Sequence, residues 1–354
     1  MFTAKTRNFH KNKQGNSLKV LLFFEKYATI KYGKFRRRGI PAAFSGYTMK
    51  QTKVRAYAKI NLTLEIVGAK DGYHLLDSLV ASIDLFDTVT AKRRKGALSS
   101  VTMHGMNSES IPPEHNNALK AAEAYSSRFG CDGADIIVHK NIPIGGGLGG
   151  SSADIAGVLR CMQNLYGAAS EDELMALACE LGSDVCFMMR GGYARMQGRG
   201  ERILPLDGVK KPLHLLLIYP EESVSAGACY RAFDEGNFPL STGVATQRAL
   251  ECLYRGDLEG IGRYATNDLY VPASSLCGAV QQAMEEAQSF SPIAAFMTGS
   301  GSTVCALFET REFCEWARSR YRGKFRTMAV KTVGRQDETN IWRSPYALGN
   351  GEVL

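Results

Sequence analysis

Apolar and polar residues alternate without interruption from Val54 to Ile66. Every second residue from Val54 onward is apolar, and the positions between them include Arg55, Lys59 and Glu65. A period of two is typical of a strand with one face in the core and the other in solvent. The pattern predicts a single half-buried antiparallel strand. By pattern alone, Lys59 is more simply interpreted as part of a solvated face than as a functional residue.

A glycine-rich stretch at 141–154 lies between a predicted strand at 134–138 and a predicted helix. The helix is indicated by apolar residues at i, i+3, i+4 and i+7, namely Ile155, Val158, Leu159 and Met162. Glycine lets the backbone approach a ligand, and the first N–H groups of a helix attract an anion. An idle turn with a serine cap is the alternative, but five glycines within 145–150 cost roughly 0.5–1 kcal/mol each relative to alanine. The stretch therefore favours a phosphate-binding loop.

Two common nucleotide motifs do not fit this loop. Gly145, Gly147 and Gly150 satisfy G-x-G-x-x-G, but a dinucleotide site needs a second strand that ends in an acidic residue about 20 positions later. Here Ser170 and Glu173 form a capping-box pattern that opens another helix instead. A Walker loop is excluded because no Gly-Lys-Ser/Thr follows the glycines.

The loop resembles the P-x-x-x-G-L-x-x-S-S-A signature of the galactokinase, homoserine kinase, mevalonate kinase and phosphomevalonate kinase (GHMP) superfamily. The signature is filled by Pro143, Gly147, Leu148, Ser151, Ser152 and Ala153. The resemblance implies an α+β fold of two domains, with a ribosomal protein S5 domain 2-like N-terminal half and a ferredoxin-like C-terminal half. It also implies that ATP is bound by Pro143, Gly145, Gly146, Gly147, Leu148, Gly149, Gly150, Ser151 and Ser152.

Further segments, in the same order along the chain, resemble the 4-diphosphocytidyl-2-C-methyl-D-erythritol kinase family within this superfamily. They are 58–62 (AKINL), 70–76 (KDGYHLL), 116–122 (NNALKAA), 182–187 (GSDVCF), 191–194, 198–201 and 296–303. Two residues depart from the family pattern. Cys186 stands where proline is usual, and Ser151 stands where another glycine is frequent.

The resemblance implies transfer of the γ-phosphoryl group of ATP, with Mg²⁺ carried by the nucleotide, to the 2-hydroxyl of a cytidine-diphosphate-linked methylerythritol in the non-mevalonate isoprenoid pathway. Asp184 would be the base and Lys59 its cationic neighbour, although local sequence alone leaves Asp184 open as a helix cap. Asn116 would contact the adenine. The substrate side would comprise Asn61, Tyr73, His74 and Ser225, and the supporting glycine-rich motif Gly299, Ser300 and Gly301. No protein-held metal site is predicted.

Two alternatives stay open at this point. Another GHMP kinase, of the mevalonate or homoserine type, would share the loop but has no reason to carry Lys-Asp-Gly-Tyr-His at 70–74. A non-catalytic ligand-binding relative has no reason to retain both Lys59 and Asp184.

The net charge of +8 is concentrated at the beginning of the chain. Residues 1–48 hold seven Lys and four Arg against Glu25, whereas the rest has 32 basic and 34 acidic residues. The remainder thus gives no electrostatic reason for a nucleic-acid partner. We expect 1–48 to be a disordered or non-native basic leader with Met49 as the native start, a transit peptide or basic arm being the alternatives. Domains are predicted at 49–205 and 206–354, joined by the turn-rich stretch 205–212.

The remaining composition favours a protein of the reducing cytoplasm. The longest apolar runs, such as 20–24, are far shorter than the roughly 18–20 residues that span a bilayer. Nine cysteines without a C-x-x-C pair and six histidines without H-E-x-x-H argue against disulfide and zinc frameworks. The expected partners are ATP and the cytidine substrate, with the protein a monomer or homodimer.

Overall fold

The protein is described here from a computed structural model. The structure describes residues 49–106, 116–207, 209 and 211–335. The predictions made for residues 1–48 lie outside this part of the chain. The described residues group as one compact unit, and the predicted division at residue 205 stays a prediction.

The described residues form twelve strands and ten helices. The strands are β1 (Gln51–Asn61), β2 (Thr63–Lys70), β3 (Tyr73–Arg93), β4 (Ser100–Gly105), β5 (Ala134–Lys140), β6 (Tyr193–Gly198), β7 (Arg202–Leu206), β8 (His214–Tyr219), β9 (Thr266–Asn267), β10 (Ala294–Met297), β11 (Val304–Phe308) and β12 (Arg326–Lys331). The helices are α1 (Asn117–Phe129), α2 (Gly150–Tyr166), α3 (Glu171–Leu181), α4 (Ser183–Arg190), α5 (Ala226–Glu235), α6 (Val244–Arg255), α7 (Leu258–Tyr264), α8 (Tyr270–Leu276), α9 (Gly278–Gln288) and α10 (Arg311–Arg320).

The long strand β3 is the centre of the larger, eight-stranded sheet. Its first part pairs with β2 and β6, and its second part pairs with β1 and β5, all antiparallel. β4 and β9 join in parallel to β5 and β2, and β7 pairs antiparallel with β6. One continuous strand thus fixes the positions of β1, which carries Lys59, and β5, which leads into the glycine loop.

The smaller sheet has the antiparallel order β10-β11-β8-β12. Within this sheet the chain runs from β8 as strand, helices, two strands, helix, strand, which is the ferredoxin-like arrangement. The short strand β9, which lies between the helices in sequence, belongs to the larger sheet. The tight connection between β10 and β11 contains Gly299–Gly301. The predicted α+β class is confirmed.

The single strand predicted for 54–66 is wrong in two respects. The chain bends at Leu62, so that β1 and β2 are separate strands. The predicted solvent face is also buried at Lys59, Asn61, Thr63 and Glu65. Elements distant in sequence cover it: Glu65 accepts hydrogen bonds from the N–H groups of Gly243 and Thr246 at the start of α6, at 3.1 and 2.7 Å.

The two helices predicted after the glycine loop are confirmed. The predicted apolar face of α2 is buried, and its Gly157 allows close contact with the sheet, because a Cβ there would lie 2.7 Å from Val89. Ser170 and Glu173 form the predicted capping box at the start of α3. No helix in the described ranges is both long enough and apolar enough to cross a membrane.

A disulfide joins Cys179 of α3 to Cys186 of α4. The sequence argued against a disulfide framework, and this pair departs from that expectation. The chain reverses at Gly182 between the helices and brings the two Cα atoms to 5.0 Å, within the normal range for a disulfide. The other seven cysteines, all in the described part of the chain, are free thiols.

Candidate active site

Lys59 projects from the end of β1 into a buried polar network. Its ammonium lies 3.5 Å from Oδ2 of Asp184 and donates a 2.7 Å hydrogen bond to Oδ1 of Asn61. The amide nitrogen of the Asn61 side chain donates in turn to Oγ of Ser78, at 2.7 Å. Lys59 is only 6% exposed, so the interpretation of this lysine as part of a solvated face is wrong. Two defined partners hold its charge in place.

Asp184 is the second residue of α4, and the cap position is occupied by Gly182. Its side chain is 39% exposed and pairs with Lys59. The carboxylate therefore lies in the first turn of the helix, where the helix dipole favours negative charge. This arrangement leaves Asp184 accessible to a ligand while it faces a fixed ammonium.

A cavity of about 300 Å³ opens beside this pair. Its size is at the lower end of the range for small-molecule sites. The lining includes Lys59, Asn61, Leu76, Ser78, Gly147, Gly149, Asp184, Arg199, Tyr230, Gly299 and Ser300. The fold thus brings the predicted catalytic pair, the glycine loop and the supporting glycine motif to one cavity.

The glycine loop packs directly against the connection between β10 and β11. Gly147 has φ +76°, and a Cβ on it would lie 2.3 Å from the carbonyl oxygen of Thr298. From the opposite side, a Cβ on Gly299 would lie 2.7 Å from the carbonyl oxygen of Gly147. The backbone N–H of Lys59 also donates to the carbonyl of Leu148, at 3.0 Å. Only glycine fits these contacts, so the glycine motif at 299–301 packs directly against the loop and supports it.

α2 begins directly after the loop, with Gly149 at its cap position and no side chain bonded to its first N–H groups. Those groups have no partner within the helix, and they form a ready anion site. Ser151 is exposed and accepts a 2.8 Å hydrogen bond from the side chain of Asn117. Ser152 follows on the first turn. The geometry suits an anionic ligand at the end of the loop.

A second cavity, of about 90 Å³, lies on the other side of the loop. Its lining comprises Met103, Asn116, Asn117, Ala118, Lys140, Pro143, Ile144, Gly145, Gly150, Ser151 and Asp154. Asn116 has a structural role there as the cap of α1, since its side-chain oxygen accepts from the N–H groups of Ala118 and Leu119. Its amide nitrogen is the group left to contact a base.

Tyr73 and His74 follow the turn at Asp71-Gly72 and lie next to cavity-lining residues. The Tyr73 side chain is exposed, with the guanidinium of Arg199 at 4.7 Å from its ring centroid. His74 stacks on Tyr230 at 4.8 Å, and its Nε2 lies 2.8 Å from Oδ1 of Asp234. Burial and the charge of Asp184 raise the pKa of Tyr230, so this tyrosine stays a neutral ring.

Ser225 occupies the cap position of α5, without a side-chain hydrogen bond to the helix. It is exposed, and it precedes Ala226, which lines the larger cavity. The structure therefore brings Ser225 to the edge of the site rather than to its centre.

Sequence reasoning missed Arg199 and Tyr230. Arg199 lies within the Gly198-x-Gly200-Glu201 segment, so its position between two glycines was a usable signal. Tyr230 lies on the short helix α5, and no local sequence pattern shows which side of that helix faces the cavity. Both were found only because the fold places them on the cavity lining.

A buried ionic triad beneath the glycine loop was also missed. The ammonium of Lys140 bonds to Asp87 at 2.5 Å and to Asp154 at 2.6 Å. Burial and the neighbouring charge of Asp87 raise the pKa of Asp154 to about 7, against the lowering effect of Lys140. Burial lowers the pKa of Lys140, but the two carboxylates outweigh it and raise the value overall. No sequence signal links these three residues, which come from β3, β5 and α2.

Comparison with known proteins identifies the family of this chain. Residues 116–192 match the GHMP kinases N terminal domain, and residues 249–313 match the GHMP kinases C terminal family. The chain is 34% identical over 286 residues to the 4-diphosphocytidyl-2-C-methyl-D-erythritol kinase of Caldanaerobacter subterraneus subsp. tengcongensis, covering 79% of this chain and 96% of that protein.

Solved structures give the same result. A crystal structure of 4-(cytidine 5'-diphospho)-2C-methyl-D-erythritol kinase superimposes with a TM-score of 0.67 at 31% identity, covering 80% of this chain and 99% of that one. Homoserine kinase from Cytophaga hutchinsonii superimposes with a TM-score of 0.66 at 18% identity, covering 82% and 97%, and shows likeness of fold alone. The chain is a small-molecule kinase and belongs to the 4-diphosphocytidyl-2-C-methyl-D-erythritol kinase family of the GHMP kinases.

Proposed function

We propose that the protein transfers the γ-phosphoryl group of ATP to the 2-hydroxyl of 4-(cytidine 5'-diphospho)-2-C-methyl-D-erythritol. The observation that carries the proposal is the Lys59–Asp184 pair, 3.5 Å apart, on a cavity that the glycine loop also lines. The hydroxyl oxygen forms a bond to the γ-phosphorus, the bond to the β-phosphate oxygen breaks, and ADP leaves. The hydroxyl proton passes to Asp184.

The loop from Pro143 to Ser152 holds the nucleotide phosphates. The support for this step is the close approach of the loop backbone at Gly147 and the uncapped start of α2. Mg²⁺ enters with the nucleotide as part of the substrate and supplies neutralisation of phosphate charge. The described residues include no group of three or more His, Cys, Asp or Glu placed to hold a metal, and we do not propose a separate protein site.

Asp184 and Lys59 have different roles in the reaction. Asp184 is half-accessible and within reach of a bound hydroxyl, as a general base must be. Lys59 is buried and held by Asn61, so its charge is preorganised to stabilise the oxyanion that develops as the proton leaves. Phosphoryl transfer depends mainly on such positioning and charge neutralisation.

The cytidine end of the substrate is recognised at the rim formed by Tyr73, His74 and Arg199. Tyr73 offers an exposed aromatic face for the base, and His74 a ring nitrogen. Arg199 lines the cavity and gives the substrate diphosphate a positive partner. Asn61 contacts the substrate near the reacting hydroxyl, and Ser225 contacts it at the edge of the cavity. We further propose that the enzyme works in the cytoplasm as a monomer or homodimer.

The test is an ADP-release assay with the purified protein and three alcohols in parallel. ATP consumption with the cytidine-diphosphate methylerythritol, and none above background with mevalonate or homoserine, is the expected result. Turnover of mevalonate or homoserine instead would assign a different GHMP kinase. No turnover with any alcohol, together with measurable nucleotide binding by calorimetry, would indicate a non-catalytic relative.

A further inference from the structure

The triad of Lys140, Asp87 and Asp154 is almost completely removed from solvent. The side chains are 2%, 0% and 5% exposed, respectively. Burying three charged groups is expensive unless they are well paired, and they do not belong to the catalytic pair. Their position relative to the glycine loop gives them a function.

Asp87 holds the beginning of the loop. One of its carboxylate oxygens accepts hydrogen bonds from the N–H groups of Asn141 and Ile142, at 2.6 and 2.8 Å. The other accepts from the ammonium of Lys140. These two amides directly precede Pro143, so the chain enters the loop in a fixed direction.

Asp154 holds the end of the loop. It is the fifth residue of α2, directly after the first turn, and its Oδ2 accepts from the same ammonium of Lys140 at 2.6 Å. Gly150 packs against the ammonium of Lys140, since a Cβ on this glycine would lie 3.5 Å from the Lys140 nitrogen. One ammonium therefore connects the residues before the loop to the helix after it.

The triad also borders the ligand side of the loop. Lys140 and Asp154 line the smaller cavity with Gly145, Gly150 and Ser151. Within the described chain, Oδ1 of Asp154 is buried and has no hydrogen-bond partner. A buried carboxylate that leaves one oxygen unpaired costs stability. That cost is explained if the bond made by the other oxygen is needed to position the loop.

We propose that Lys140, Asp87 and Asp154 are positioning residues, which clamp the two ends of the phosphate loop and thereby set its affinity for the nucleotide. The proposal rests on the proposed function in so far as a nucleotide is the ligand of the loop. Preorganisation of this kind improves affinity by reducing the ordering that binding would otherwise require. The triad does not contact the reacting hydroxyl and should leave the affinity for the alcohol substrate unchanged.

The decisive pair of variants is Asp154→Ala and Asp154→Asn. Alanine removes the bond to α2 and leaves Lys140 paired with Asp87, so no uncompensated charge is buried. Asparagine keeps an oxygen that accepts from Lys140 at the same position. We expect Asp154→Ala to raise the Kd for ADP roughly 5- to 20-fold and Asp154→Asn to stay within about threefold of the wild type. The KM for the cytidine substrate should not change for either variant.

Amide hydrogen exchange of the unliganded full-length protein gives a second measurement, which needs neither substrate nor turnover. Peptides covering 143–156 should exchange at least about fivefold faster in Asp154→Ala than in the wild type, because the loop ends are no longer joined. This readout separates failure of the clamp from failure of the proposed function. A wrong substrate assignment would leave the exchange result intact.

Asp77→Ala is the matched control, since Asp77 is a buried acid in a bidentate pair with Arg195 away from the loop. It should lower the melting temperature without changing the ADP Kd or exchange at 143–156. The proposal is overturned if Asp154→Ala leaves both quantities within twofold of the wild type, or if Asp77→Ala changes them equally. If Asp154→Ala does not fold, Asp154→Leu fills the space left by alanine while Lys140 stays paired with Asp87, and the same criteria decide.

Discussion

The ammonium of Lys59 lies 3.5 Å from the carboxylate of Asp184, although one belongs to the first strand and the other to the fourth helix. Asp184 is partly exposed and Lys59 is buried. This asymmetry lets a substrate hydroxyl reach the carboxylate while the ammonium stays fixed behind it. In the proposed reaction this pair provides the base and the positive charge that phosphoryl transfer to an alcohol requires.

Asp184→Asn should lower kcat by about 10²–10⁴, because the variant keeps the shape of the side chain but loses the base. Nucleotide affinity should be unchanged or slightly higher, since a negative charge near the phosphates is removed. ADP release measures kcat, and calorimetry on the same preparation measures the nucleotide Kd. Retention of more than about a tenth of wild-type kcat would show that Asp184 is not the base.

Tyr73→Leu should raise the KM for the cytidine substrate roughly 2- to 13-fold, because leucine keeps the apolar bulk but loses a stacking face worth about 0.5–1.5 kcal/mol. The KM for ATP should not change. Tyr254→Leu is the control, as Tyr254 is an exposed tyrosine on α6. Equal weakening of both substrates would mean that Tyr73 stabilises the β2–β3 turn instead of binding the base.

Local signals predicted the parts of the site that depend on neighbouring residues. The glycines that lead into α2 and the capping box at Ser170 both form as predicted. These features need only a few consecutive residues, so the sequence contains all the necessary information. The family resemblance added the roles proposed for Lys59 and Asp184, which no local pattern provides.

What the sequence could not predict depends on contacts between distant segments. The alternation at 54–66 identified the core-facing side chains correctly, but it predicted solvent exposure for the opposite face, which is buried. Two distant elements cover that face. α6 covers Glu65, and the β10–β11 connection covers Asn61, whose backbone N–H donates to Oγ1 of Thr298 at 2.8 Å. The disulfide between Cys179 and Cys186 likewise depends on the reversal at Gly182. A pattern of period two cannot report what packs on the second face of a sheet.

The stability of the protein should depend on pH through Asp154. Its pKa is about 7 when folded and near the ordinary value of 3.8 when unfolded. Between these values the folded state binds more protons, so the unfolding free energy falls as pH rises from about 4 to 7, by at most about 4 kcal/mol from this residue. Below pH 4 both states are protonated, and above pH 7 the penalty is complete.

Asp154→Asn isolates this contribution, because asparagine is permanently neutral while the other carboxylates still titrate. Urea unfolding at several pH values should show the variant gaining stability relative to the wild type as pH rises from 4 to 7. A constant difference across this range would mean that Asp154 is ionised in the folded protein throughout, with Lys140 compensating for its burial.

Gly147→Ala should impair nucleotide binding far more than Gly167→Ala, although both glycines have positive φ, +76° and +59°. An L-residue in this region costs about 1–2 kcal/mol at either site. At Gly167, the C-cap of α2, a Cβ meets nothing within 4 Å, whereas at Gly147 it lies 2.3 Å from the carbonyl oxygen of Thr298. Backbone atoms cannot yield as a flexible side chain does, so Gly147→Ala must separate the loop from the β10–β11 connection.

Calorimetry should show an ADP Kd at least about tenfold weaker for Gly147→Ala, equivalent to about 1.4 kcal/mol, and a value near that of the wild type for Gly167→Ala. If the two variants bind ADP equally well, the contact between the loop and the β10–β11 connection does not determine the affinity of the nucleotide site.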